Sequence, residues 1–321
     1  MTPIFRAIAA ALAATVIAVP ALAQGYPEKS ITFVVPFAAG TATDQLARAL
    51  GQAITAETKQ PVVVDNRAGA SGMIAAQHAA KAAPDGYTVL ITTNTTHAAN
   101  EHLYKKLGYD PVKDFSPVTL LGKGGQIMLV APNFPAKTVG EFVAMARKEP
   151  GKLSFASGSS SSRMAGELLQ QLAGIDLLHV PYKSNTLAVT DVIGGQVNTI
   201  ITDTATGLPQ VKSGKLRALG TTGTKRSPQA ADVPTIAEAG VPGYEMGYWF
   251  AAYTSANTPA PVVKRLQELL VQAVASPQAK TFFANSAVDP STSTPEELAR
   301  FQAAESQKWG RIVKAAKIDP E

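Results

Sequence analysis

The stretch ITFVVPFAAGTATDQLARALGQAITAE, Ile31 to Glu57, decides how the chain is read. Ile31-Thr32-Phe33-Val34-Val35 is a short apolar, β-branched run closed by Pro36, the pattern of a buried strand. From Asp44 to Glu57, Leu46, Ala47, Leu50, Ala53 and Ile54 fall on one face of a helix. Working outward, Pro61-Val62-Val63-Val64 is the next strand. Gly72 to Ala83 is an Ala-rich helix stopped by the turn Pro84-Asp85-Gly86, and Thr88 to Thr92 is a third strand. Strand and helix alternating through short links predict a parallel sheet with helices on both faces.

A second α/β set follows. Gln126–Ala131, Lys152–Ala156, Leu177–Val180, Val197–Ile201 and Leu216–Thr221 have strand patterns, and Val139–Lys148, Arg163–Ala173 and Thr186–Ile193 have helical ones. The tail turns helical over Val262–Ala275 and Pro295–Lys317, where Leu298, Phe301, Trp309, Ile312 and Val313 make an apolar stripe read as packing. One arrangement has the chain leaving a first lobe near Leu121, building a second, and returning near Thr222. Two such crossings would form a hinge suited to closing over a ligand.

At the N-terminus Arg6 precedes an apolar run, Ala7 to Val19, too short to span a bilayer, and Ala21-Leu22-Ala23 has the small-x-small cleavage pattern. Residues 1–23 are therefore expected to be a signal peptide, with the mature chain beginning at Gln24. The remaining chain, about 300 residues, suffices for two domains. Cysteine is absent, which excludes disulfides, thiolate metal sites and a thiol nucleophile. The formal charge of +5 is spread along the chain with no basic block, so no nucleic-acid partner is expected.

Enzyme signatures are weak. No G-x-S-x-G elbow occurs. His97, Glu101 and His102 match no zinc-helix spacing and are read as surface or cap residues, so no metal or other cofactor is expected. Gly122-Lys123-Gly124-Gly125 precedes a strand where a phosphate loop would precede a helix, and is read as a turn or crossing segment. Two loops carry chemistry. Pro36 to Asp44 links a strand end to a helix start, where close backbone approach, free N–H groups and the helix dipole suit an anionic oxygen. It also lies where open α/β sheets place ligands. A plain turn with Thr43 or Asp44 as N-cap is the alternative. Ser157 to Arg163 repeats the arrangement in the second set with serine hydroxyls, a solvated turn being its alternative.

From about Tyr26 onward the sequence resembles the receptors of tripartite tricarboxylate transporters, the Bug proteins. The resemblance is carried by Val35-Pro36-Phe37-Ala38-Ala39-Gly40 with Asp44, Asp65-Asn66-Arg67-Ala68-Gly69-Ala70-Ser71-Gly72, Pro84-Asp85-Gly86-Tyr87-Thr88 and Val180-Pro181-Tyr182-Lys183. Gly194-Gly195-Gln196-Val197, Ser213 to Leu219, Val233-Pro234-Thr235 and Glu238-Ala239-Gly240 follow in order. It implies a two-lobed α/β periplasmic binding fold of type II, each lobe a mainly parallel sheet flanked by helices, with two hinge crossings. The expected units are residues 24–122 with 222–321, and 123–221. It implies a small carboxylate ligand, dicarboxylate, tricarboxylate or aromatic, held by the Pro36–Asp44 loop partly through water, with the serine loop at its other end. Membrane permease subunits would be the partner of a monomeric receptor.

The candidate ligand contacts are Phe37, Ala38, Ala39, Gly40, Thr41, Asp44, Ser157, Gly158, Ser159, Ser161, Tyr182 and Asp203. Thr41 stands where the family carries glycine, and its hydroxyl is expected to donate into the cleft. Ser184 and Ser160 likewise replace family glycines. Arg163, at the edge of the serine loop, is expected to be a solvated helix residue. A secreted serine hydrolase and a ligand-presenting partner of a membrane kinase are the alternative functions.

Overall fold

A computed structural model describes residues 25–315 and 318–320. The expected signal peptide lies outside the described residues. Strand β1 (Ile31–Val35) forms where expected and is flanked in parallel by β2 (Val62–Asn66) and β3 (Thr88–Thr93). Helix α1 (Ala42–Thr58) presents Leu46, Ala47, Leu50 and Ile54 to the sheet, and all are buried. Helix α2 (Met73–Ala80) covers part of the other face. A π-turn at Thr95–Ala99 and the short helix α3 (Asn100–Leu103) follow β3.

The long strand β4 (Phe115–Val130) differs most from the sequence reading, which has only its last third. Gly122–Gly125 is not a turn but lies within it, leading into the crossing between the sheets, the other of the two expected readings. The first half of β4 pairs antiparallel with β9 (Gly247–Ser255) and β10 (Val288–Pro290), extending the first sheet. Its second half pairs antiparallel with β7 (Thr199–Asp203) and β8 (Arg217–Thr221). β5 (Ser154–Ser157) then lies parallel to β7 and to β6 (Leu178–Pro181), completing the second sheet. One strand thus passes through both sheets, and parallel strands lie to either side of the antiparallel ones at the crossing.

Four helices pack on the second sheet: α4 (Val139–Lys148), α5 (Ser160–Ala173), α6 (Asn185–Ile193) and α7 (Thr204–Lys212). After β8 the chain stays with this sheet: the Ile236 N–H donates to the Thr221 carbonyl, and the Tyr244 hydroxyl donates to the Ala165 carbonyl at 2.8 Å. It returns at Gly247, which pairs with Gly125 of β4. The two crossings therefore run side by side, glycine against glycine, where the backbone is least hindered. Helices α8 (Ala260–Val274), α9 (Pro277–Ser286) and α10 (Pro295–Ala315) return to the first sheet. The stripe expected on α10 does pack: Leu298, Trp309 and Val313 are buried.

Candidate functional site

The carboxyl ends of β1, β5 and β7 meet between the sheets, each leading straight into a helix. In the first loop the backbone is tied down from within. The Gly40 N–H donates to Asp44 Oδ2 at 2.8 Å, and Gln45 Nε2 donates to the Gly40 carbonyl at 2.9 Å. Asn66 Nδ2 donates to the Phe37 carbonyl at 3.0 Å. Arg48, one turn along α1, grips the Asp44 carboxylate with Nε 3.1 Å from Oδ2 and Nη2 2.9 Å from Oδ1. Burial pushes the Asp44 carboxyl up, but hydrogen bonds from Arg48, Gly40 and Asn66 and the Arg48 charge outweigh it and hold the pKa below the usual value. Asp44 is thus an internal brace that stays ionised.

Thr41 occupies the N-cap position of α1, yet its side chain makes no cap hydrogen bond. Its hydroxyl donates back to the Ala38 carbonyl at 2.8 Å. The expectation of a donor aimed at ligand is corrected: the proton closes the loop on itself. The expected caps Thr43 and Asp44 lie inside the helix. α1 therefore starts without a side-chain acceptor for its first N–H groups.

In the second loop Ser159 is the N-cap of α5, accepting from the Ser162 N–H, so Ser160 to Ser162 form the first turn of the helix. Gly158 is fixed by crowding. A Cβ there would lie 1.9 Å from the Ser184 carbonyl carbon and 2.1 Å from the Asn185 nitrogen. This contact lets the Gly158 N–H donate to Asn185 Oδ1 at 2.8 Å. Two serines reach the other sheet's side: Ser160 Oγ donates to Asn100 Oδ1 at 2.6 Å, and Ser161 Oγ lies 3.2 Å from Thr95 Oγ1. The Ser162 hydroxyl donates to the Ile201 carbonyl at 2.5 Å.

Between the loops is an enclosed polar cavity lined by Phe37, Thr41, Ala42, Thr43, Ser159, Asn185, Asp203, Thr206 and Tyr248. It has room for roughly one water. Of the twelve expected contacts, Phe37, Thr41, Ser159 and Asp203 line it. Ala38, Ala39, Gly40 and Asp44 shape the first loop, and Gly158 and Ser161 shape the second. Tyr182 stands off: its hydroxyl donates to Asp191 Oδ2 at 2.7 Å. Ala42, Thr43, Asn185, Thr206 and Tyr248 are additions. Asp203 caps α7, accepting from the Thr206 N–H at 2.8 Å. Burial pushes its carboxyl up, against hydrogen bonds from Thr206, Thr202 and Asn185. Burial and the Asp203 charge likewise raise the Tyr248 phenol, opposed by hydrogen bonds with Thr43 and Thr93.

Arg163 is not solvated as expected. Its side chain is only 18% exposed and lies 3.7 Å from Glu167 Oε1, one turn along α5 and outside the cavity lining. His97 is not a surface residue either: it is fully buried, stacked on Tyr253 with centroids 3.9 Å apart. Ser157 Oγ lies 2.7 Å from His179 Nε2, a spacing a nucleophile and its base could share. Neither residue lines the cavity.

The model of the tripartite tricarboxylate transporter family receptor matches residues 46–318. The chain belongs to that family. Among its relatives, BugT of Bordetella pertussis is 32% identical over 317 residues, covering 98% of this chain and 97% of BugT. The solved structure of R. palustris Rpa4515 with adipate superposes with a TM-score of 0.89 at 33% identity, covering 92% of this chain and all of that one. MatC (Rpa3494) from Rhodopseudomonas palustris with bound malate gives 0.85 at 31% identity, covering 90% and 100%. The two-lobed architecture is shared over nine-tenths of this chain, and the family is one of substrate-binding receptors rather than enzymes. Among the described residues, no helix is long and apolar enough to cross a membrane.

Proposed function

We propose that this receptor captures a small carboxylate between its lobes in the periplasm and hands it to the membrane permease of a tripartite tricarboxylate transporter. The observation that carries this reading is the start of α1. Around the cleft, α5, α6 and α7 each begin with a side-chain cap, from Ser159, Ser184 and Asp203. α1 alone of these four opens on the cavity without one. Its first N–H groups, with the positive end of the dipole behind them, suit one carboxylate. Among the described residues no lysine or arginine lines the cavity, so backbone and hydroxyl donors would hold the anion. Adipate in Rpa4515 and malate in MatC support the ligand class.

The lobes in this reading are those expected, residues 24–122 with 222–321 and 123–221, except that residues 222–246 stay with the second, and the chain acts as a monomer after removal of residues 1–23. Native mass spectrometry of the purified protein followed by a thermal-shift panel of carboxylic acids tests capture. A ligand at a hundred times its Kd stabilises the fold by about 2.7 kcal/mol. A panel in which no acid moves Tm while a generic ester is hydrolysed would replace the receptor by a hydrolase built on Ser157 and His179. Delivery is tested by uptake of the acid in cells lacking and regaining the receptor.

A further inference from the structure

The crossing between the sheets carries polar atoms that the protein does not satisfy. Gln126 is the β4 residue at which the chain enters the second sheet. It is fully buried, and neither Nε2 nor Oε1 has a partner. Its backbone is engaged: the N–H donates to Thr222 Oγ1 at 2.8 Å, and the carbonyl accepts from the Thr222 N–H at 2.9 Å. Gln126 lies directly opposite Asp203 in the β4–β7 pair. Opposed residues of an antiparallel pair project from the same face, so the amide stands on the side of Asp203, behind the residues that line the cavity, which include neither Gln126 nor Asn94. Asn94, just past β3, is also fully buried. Its Nδ2 donates to the Gly247 carbonyl at 3.2 Å, beside Gly125, and its Oδ1 has no partner.

An apolar side chain would be cheaper here than an unsatisfied buried amide. We propose that Gln126 and Asn94, with Asp203, form a subsite for a hydrogen-bond-donating substituent, hydroxyl or ammonium, on the carbon chain of the bound acid. The balance of donors selects this chemistry. Asn94 Oδ1, Gln126 Oε1 and the Asp203 carboxyl accept; of the Gln126 and Asn94 atoms left unpaired, only Gln126 Nε2 donates. A carboxylate brings acceptors alone and meets Asp203, and a methylene brings nothing. A hydroxyl or an ammonium supplies the missing donor. The inference rests on the carboxylate-receptor reading and narrows its ligands to substituted acids.

Calorimetric titration of the mature chain with succinate, malate and aspartate, and in parallel with glutarate, 2-hydroxyglutarate and glutamate, tests it. In at least one set the substituted acid is expected to bind about tenfold or more tightly than the bare one, the equivalent of one good hydrogen bond. Preference for the amino acid marks an ammonium, and preference for the hydroxy acid a hydroxyl. Gln126→Met, close in shape, is expected to keep or raise Tm while cutting the preference to less than about threefold. Equal binding of bare and substituted acids, or a preference that survives Gln126→Met, overturns the subsite. A lower Tm with unchanged preference overturns it too, because the amide would then serve the fold through water. A chain that binds no carboxylate in these sets or the wider panel refutes the receptor reading itself, whereas binding without preference refutes only the subsite.

Discussion

Asp44 governs the ligand loop from behind. Its carboxylate is nearly inaccessible, takes the Gly40 N–H and is gripped by Arg48, so the loop's shape depends on this buried charge. Asp44→Asn keeps the size and loosens the grip. It is expected to cost about 1–2 kcal/mol of stability in urea titration and to weaken carboxylate binding as well. Because the folded pKa of Asp44 is lowered, its stabilisation is present above about pH 3.9 and lost as pH falls through the folded value. Wild type and variant should therefore converge in strong acid. His97 works in a different window. Burial lowers its pKa from 6.5 to about 3. The unfolded chain takes up a proton below about pH 6.5 that the folded chain refuses, so stability falls with pH by about 1.4 kcal/mol per unit in that range. His97→Phe, which preserves stacking on Tyr253, is expected to remove that slope. An unchanged slope between pH 6 and 4 would locate the sensitivity in other groups.

Among the elements, the contact of the β5–α5 loop with the start of α6 tolerates least. Gly158 meets Ser184 and Asn185 backbone to backbone, so a Cβ must push the two helix starts apart. Gly158→Ala is expected to lower stability by about 3 kcal/mol or more and to reduce binding through displaced Asn185, both readable by melting and calorimetry. Elements with strong local signals were legible in the sequence. The helix expected over Val139–Lys148 has those bounds; Thr138 caps it by accepting from the Glu141 N–H, and the Glu141 carboxylate accepts from the Lys137 N–H. β4 was partly hidden because Pro117, Gly122, Gly124 and Gly125 signal turns, and only pairing with β9 and β10 makes them a strand. α7 was hidden by Gly207 and Pro209. The two loops of the site were visible as strand ends before helix starts. Asn185, Thr206 and Tyr248 were not, since each reaches the cavity through pairings distant in sequence. Ser184 and Asp203 carried a usable signal: both are cap-type residues with a helix behind them, and that alone places Asn185 and Thr206 in first turns.

For the whole molecule, the small cavity and the bonds across the cleft set the terms of entry. Space for about one water cannot admit a dicarboxylate, so capture as proposed requires the lobes to part, and the paired Gly125 and Gly247 lie where both crossings can bend. Parting breaks Ser160 Oγ–Asn100 Oδ1 and Ser161 Oγ–Thr95 Oγ1. Each neutral hydrogen bond contributes about 1 kcal/mol, so the pair biases the molecule toward closure by about 2 kcal/mol, roughly thirtyfold in population. Removing both with Ser160→Ala and Ser161→Ala leaves the Ser159 cap of α5 in place. The double variant is expected to show a larger radius of gyration than wild type in small-angle scattering without ligand. Saturating carboxylate should bring both to the same smaller value, with the variant binding more weakly because the ligand must drive more of the closure. A variant with unchanged radius and unchanged affinity would mean that the hydrophobic packing continuous between the sheets, and not these serines, holds the lobes together.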